Sequence, residues 1–218
     1  MGSSPMKTTP AHSQSAQHSF TRGFTLIEIL VVVVLVGLIF TFATPYTLSA
    51  IQAASLTSAG DTLMQKLSHA QQMAVTENRP IGVDFYFYDK DGVKGCHAVQ
   101  MITYDMTTNQ SKPLGNPNYW SEGRVILVEG ALTPLFAGTF NATDAGTVTT
   151  PPFADKEATF KRILFYPNGT TSLRVPLRNA YMTLVSSNNY REELEEAPRN
   201  YYTVQIDPVT GRTRSYRP

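Results

Sequence analysis

The sequence predicts an α+β fold, a long N-terminal helix packed on an antiparallel β-sheet, and three observations predict it. Between Glu28 and Asp61 the chain runs for 32 residues without a charge. Further on, Leu56, Ala59, Leu63, Leu67, Ala70 and Ala74 recur every three or four residues, the stripe of a helix with one buried face. From Ile81 onward, short alternating runs rich in Val, Ile, Phe and Tyr are separated by turn dipeptides such as Asp91-Gly92 and Asn168-Gly169.

The N-terminal segment comes first. Residues 1–23 are polar, carry Lys7 and Arg22, and hold no acid. Leu26 to Ala43 are then apolar except for Glu28 and Thr41, 18 residues in all. At a helical rise this spans roughly 27 Å, close to the hydrocarbon thickness of a bilayer. Positive charge before the stretch keeps the leader on the cytoplasmic side and sends the remainder outward. An ordinary cleaved signal or a plain anchor would satisfy that pattern, but both leave Glu28 unexplained. A carboxylate in such a place is costly and calls for a partner.

Arg22 is followed by Gly23-Phe24-Thr25-Leu26-Ile27-Glu28. This order of glycine, aromatic, hydroxyl, aliphatic pair and acid ahead of an apolar helix resembles the type IV prepilin signal. The resemblance implies cleavage between Gly23 and Phe24 by a membrane prepilin peptidase and N-methylation of Phe24. It also implies that Glu28 pairs with the free amine of a neighbouring subunit's Phe24. That amine is largely cationic at neutral pH, so opposite charges would meet where a lone charge is expensive.

The helix is expected over residues 24–78, with a transmembrane part at about 26–44 and an amphipathic part at 46–78. Pro45 falls between them and is read as a bend or local melting, not an end. Asn78-Arg79-Pro80 stops the helix. Residues 79–218 form the globular domain, and residues 1–23 the leader.

Within that domain Ile81, Val83, Phe85 and Phe87 alternate, and Asp91-Gly92 turns into a strand at Cys96–Tyr104. Arg124–Glu129 is a short apolar run. Phe160–Tyr166 meets Pro167-Asn168-Gly169 and is expected to return over Ser172–Leu177. Tyr181–Val185 is a further strand. Tyr202, Val204 and Ile206 share a face, and Asp207–Gly211 turns the chain into Arg212–Tyr216. Residues 105–121 and 130–158, rich in Thr, Asn, Gly and Pro, are expected to be long surface loops.

The order of these elements resembles the GspH/FimT branch of pilin-like proteins. The resemblance is carried by residues 67–83 at the helix exit, Ile163–Gly169 and Val204–Arg212. It implies a minor pilin or pseudopilin of a type IV pilus or type II secretion-type filament, located in the bacterial inner membrane with its C-terminal domain periplasmic. Its partners would be prepilin peptidase and other pilin or pseudopilin subunits.

Catalytic signatures are missing. There is no phosphate-binding loop, zinc-protease helix motif or nucleophile elbow, so no enzyme is expected. A single cysteine, Cys96, excludes an intramolecular disulfide and a paired thiolate metal site. His97 beside it points to the opposite face of a strand. The run Glu192–Glu196 lacks the spaced ligands of a calcium loop and reads as a solvated acidic patch. No cofactor or metal is expected.

A formal charge of +1 gives the whole chain no reason to seek a polyanion. The C-terminal Gly211-Arg212-Thr213-Arg214 does so locally. Arg212 and Arg214 would project from one strand face, with Arg217 nearby and Tyr216 free to stack. Within the FimT branch such an element is associated with DNA capture, and a few arginines can supply weak, salt-sensitive phosphate binding. The alternative to a purely structural subunit is therefore a DNA-binding minor pilin of an uptake apparatus.

Overall fold

A computed structural model describes residues 23–120, 124–137, 144–153, 156–190, 194 and 196–218, with the side chains of 42–49 set aside. The chain divides after Pro45 into two compact units, Met1–Pro45 and Tyr46–Pro218. Helix α1, Leu26–Thr76, contributes to both and is 51 residues long.

In the first unit α1 is exposed along its apolar length, from Leu26 at 84% to Phe40 at 68%. The helical assignment continues through Pro45, so the proline does not end the helix. Among the described residues no helix is long and apolar enough to cross a membrane. The span expected over 26–44 closes with residues 42–44, whose side chains lie outside the described ones.

In the second unit the predicted stripe is the buried face. Leu56, Leu63, Leu67, Ala70 and Ala74 are fully inaccessible and Ala59 nearly so. They pack with Val83, Phe85, Ile163, Met182, Leu184, Val204 and Ile206 from the sheet into one core. The helix ends at Thr76, and Asn78 adopts a left-handed conformation with φ of 49°, which a short amide side chain tolerates.

The described residues form nine strands: β1 Ile81–Lys90, β2 Val93–Asp105, β3 Gln110–Tyr119, β4 Val125–Leu127, β5 Ala145–Thr147, β6 Thr159–Phe165, β7 Tyr181–Ser186, β8 Tyr201–Ile206 and β9 Thr213–Tyr216. They make one antiparallel sheet in the order β5-β6-β1-β2-β4-β7-β8-β9, with β3 also paired to β2. The hairpin at Asp91-Gly92 has both residues at positive φ, as a tight turn between twisted strands requires.

Three expectations need correction. Residues 105–121 are mostly strand, because β3 lies on the edge of β2 and an edge accommodates Pro113 and Pro117, which lack an N–H. The return over Ser172–Leu177 does not form a strand. The Asn168-Gly169 turn closes through Gly169 N–H to Tyr166 O at 2.9 Å, but beyond the bridge Phe165–Thr171 the pairing stops at Ser172, whose N–H donates to Leu164 O at 2.9 Å. Thr171 then turns to Pro208, donating both its N–H and its hydroxyl to that carbonyl. Segment 130–158 is not all surface loop: Leu135, Phe136 and Phe153 are buried, and Phe153 stacks on Tyr86 at 4.2 Å. Apolar anchors scattered among turn residues have no period, so they are invisible to a periodicity reading.

Candidate functional site

At the N-terminal motif the local chemistry is that of a helix start. The first four N–H groups of a helix lack intrahelical partners. Thr25 supplies one acceptor, taking the Glu28 N–H on its Oγ1 at 3.3 Å. Glu28 reaches back and takes the Thr25 N–H on Oε2 at 3.5 Å. This reciprocal pair is a capping box, with Thr25 as N-cap and Glu28 three residues on. The Thr-x-x-Glu spacing is legible in the sequence, yet reading Glu28 only as a charge in an apolar run overlooks it.

Before the cap, Phe24 is 74% exposed and no described residue lies within 4 Å of where a Cβ on Gly23 would stand. Among the described residues, therefore, nothing covers the backbone at the expected scissile bond. Arg22 and the rest of the leader lie outside the described residues. Downstream, Thr41 returns its hydroxyl to Gly37 O at 2.9 Å, so this polar group is satisfied within the helix.

The C-terminal arginines occupy the second unit. Asp207 Oδ1 accepts the N–H groups of Val209 at 2.9 Å and Thr210 at 3.3 Å. These bonds, led by that from Val209, hold its carboxyl below the ordinary carboxylate range. Gly211 closes the turn at φ 66°, where a Cβ would also meet Gly169 O at 3.0 Å. Arg212 follows directly and is exposed.

In β9, Thr213 faces the helix, its Oγ1 3.2 Å from Ser68 Oγ. Arg214, paired with Gln205, and Tyr216, paired with Thr203, therefore project from the opposite face. Tyr216 donates its hydroxyl to Gln205 Oε1 at 3.3 Å, which holds its ring across β8. Arg217 does not join them. Its guanidinium turns to the helix and donates to Thr57 Oγ1 and, at 3.5 Å, to Ala53 O.

The predicted residues thus form two groups: Gly23, Phe24 and Glu28 in one unit, Arg212 and Arg214 in the other. Cys96 and His97 point to opposite faces of β2, and no group of three or more ligating side chains occurs among the described residues. Cys96 is buried in the main core, where burial pushes its thiol up to about 12. His97 faces the other way, with Nε2 2.8 Å from Val93 O and its ring beside Tyr88.

The N-terminal motif thus starts an exposed apolar helix, and a helix-on-sheet domain follows it along the chain. The family description "Prokaryotic N-terminal methylation motif" matches residues 18–44. Among solved structures, the type IV minor pilin FimU of Pseudomonas aeruginosa (strain PAO1) is similar at 15% identity and a TM-score of 0.38. The similarity covers 75% of this chain and 92% of that one. No curated protein matches the sequence.

Proposed function

We propose that this protein is a minor pilin or pseudopilin, a structural subunit of a type IV pilus or type II secretion-type filament and not an enzyme. The observation that carries the reading is the methylation motif over 18–44, leading into an apolar helix whose only charge before Asp61 is Glu28. Prepilin peptidase removes residues 1–23 by cutting between Gly23 and Phe24, and Phe24 is N-methylated. Residues 24–78 act as the assembly helix and 79–218 as the displayed domain.

The subunit waits in the inner membrane as a single-pass protein, its apolar part at about 26–44 and its C-terminal domain in the periplasm. It then moves into the filament core. Transfer between two apolar surroundings leaves little hydrophobic free energy to overcome. The order of elements in the domain supports the GspH/FimT branch. Mass spectrometry of the mature chain tests the reading: the first residue is expected to be an N-methylated Phe24, and any other start overturns it.

A second reading has an observation of its own. Arg212 and Arg214 are both exposed, and no ion pair to either occurs among the described residues. That arrangement supports weak capture of DNA through its phosphates. A gel shift of the protein, with and without Arg212→Ala and Arg214→Ala, tests it. Binding that is absent, or indifferent to salt, removes this reading.

A further inference from the structure

Strand β9 is the last of the sheet, and among the described residues it pairs only with β8. In an antiparallel strand every second residue directs its N–H and C=O away from the paired neighbour. An edge of this kind is a template for another chain. Its outward face carries Arg214 and Tyr216, both exposed, with Arg212 just before them.

Two features select among possible occupants. The local charge is positive, because the two exposed guanidinium groups of Arg212 and Arg214 outnumber the one carboxylate beside them, Asp207, which stays ionised and interacts with Arg214. Two copies joined at this edge about a two-fold axis would set arginines beside arginines, which disfavours self-pairing. The open backbone favours an extended peptide over a nucleic acid, since a phosphate backbone supplies no N–H to a strand ladder. Tyr216, held by Gln205, offers an aromatic face of the sort enriched at binding hot spots.

We propose that the outer edge of β9 takes an acidic, extended segment of a partner protein as an added strand. One acid lies opposite Arg214 and one apolar side chain lies against the Tyr216 ring. The ladder supplies affinity and the side chains supply selection. The inference depends on the C-terminal domain alone. A mature N terminus other than Phe24 removes the filament reading and leaves this surface as it is.

The test uses the full chain in detergent and a fluorescent Glu/Val peptide of about eight residues repeating Glu-Thr-Val-Thr, which sets an acid and an apolar side chain two positions apart on one face of the strand. Three probes accompany it: the same peptide with alternate amides N-methylated, a Lys/Val peptide, and a single-stranded oligonucleotide of equal charge. The Glu/Val peptide is expected to bind and the N-methylated form to lose that binding. Arg214→Glu is expected to weaken the Glu/Val peptide about tenfold and to favour the Lys/Val peptide. A changed preference of an exposed variant cannot be ascribed to misfolding. Equal binding of the N-methylated peptide, tighter binding of the oligonucleotide, no binding of the Glu/Val peptide, or an Arg214→Glu variant with unchanged preference overturns the proposal.

Discussion

Tyr202 lies against Gly60 where a side chain on the helix would have to stand, and its hydroxyl donates to Asp61 Oδ1 at 2.8 Å. The two contacts fix how closely α1 approaches β8 within the second unit. A Cβ at Gly60 would fall inside the van der Waals envelope of the ring. Ordinarily, alanine in place of a helical glycine is worth about 1 kcal/mol in its favour. Here the sign reverses: Gly60→Ala is expected to destabilise the domain by about 1–3 kcal/mol through overpacking. Urea unfolding in detergent measures it. Gly60→Ala combined with Tyr202→Leu should recover much of the loss, and no recovery would show that the clash is not with Tyr202.

On the face of the sheet away from α1, Arg162 Nε and Nη2 bond to Asp84 Oδ1 and Oδ2 at 2.6 and 2.8 Å, with both residues buried. The same Nη2 reaches Ser111 Oγ of β3 at 3.1 Å, and the Phe160 and Tyr104 rings flank the guanidinium. Removing one partner strands a buried charge. Asp84→Leu or Arg162→Met alone should each cost about 3–5 kcal/mol, while the two together should cost much less. Additive losses in that double-mutant cycle would mean that the two charges act independently.

What the sequence reveals and what it hides divides along a physical line. The α1 stripe is legible because one-sided burial writes a period into Leu56–Ala74, and all six positions are buried. The Asp91-Gly92 hairpin is legible because its backbone requires positive φ. The Asp84–Arg162 pair is not, since it depends on the register of β1 against β6 across 78 positions of chain. Strand β3 is hidden because an edge needs no alternation and accepts proline. At the candidate sites the motif residues stand out by chemistry. The fate of Arg217, tied to Thr57 on the helix, is a tertiary contact that no local pattern announces.

His97 makes stability depend on pH. Burial, reinforced by Lys90, lowers its pKa below the ordinary 6.5, with the Val93 carbonyl opposing. The folded chain then binds fewer protons than the unfolded chain as pH falls through that value, so acid favours unfolding. The contribution is fully present above pH 6.5 and is lost progressively below it, until the folded-state histidine also protonates. In His97→Phe, which keeps a ring beside Tyr88, the midpoint of urea unfolding should fall less steeply between neutral pH and pH 5 than in the parent. Parallel profiles for the two proteins would assign the titration to another group.

Cys96 should be chemically silent in the native chain. It is fully buried, its thiol is pushed up to about 12 chiefly by desolvation, and its Sγ–H donates to Ala98 O at 3.3 Å. The thiolate, which is the reactive form, is therefore negligible at ordinary pH. A disulfide reagent at pH 8 should label the protein only after denaturant is added, at one equivalent per chain. Labelling without denaturant would reveal local opening of β2, because no other route brings reagent to the sulfur.

Glu28 combines two roles that one substitution can separate. In the subunit its carboxylate closes the capping box with Thr25, while in the proposed filament its charge meets the amine of a neighbouring Phe24. Glu28→Ala removes both, so failure to assemble would not identify the cause. Glu28→Gln keeps a side chain that can accept from the Thr25 N–H, as glutamine serves in capping boxes, and removes only the charge. Hydrogen exchange at residues 25–28 should therefore be close to the parent in Glu28→Gln and faster in Glu28→Ala and Thr25→Ala. Membrane insertion should persist in all three, since neither removing a carboxylate from an apolar segment nor replacing Thr25 by alanine hinders insertion. Incorporation into filaments should fail in Glu28→Gln and Glu28→Ala but survive Thr25→Ala, which retains the charge. If Glu28→Gln assembles normally, the acid serves the helix start alone and the amine pairing is wrong.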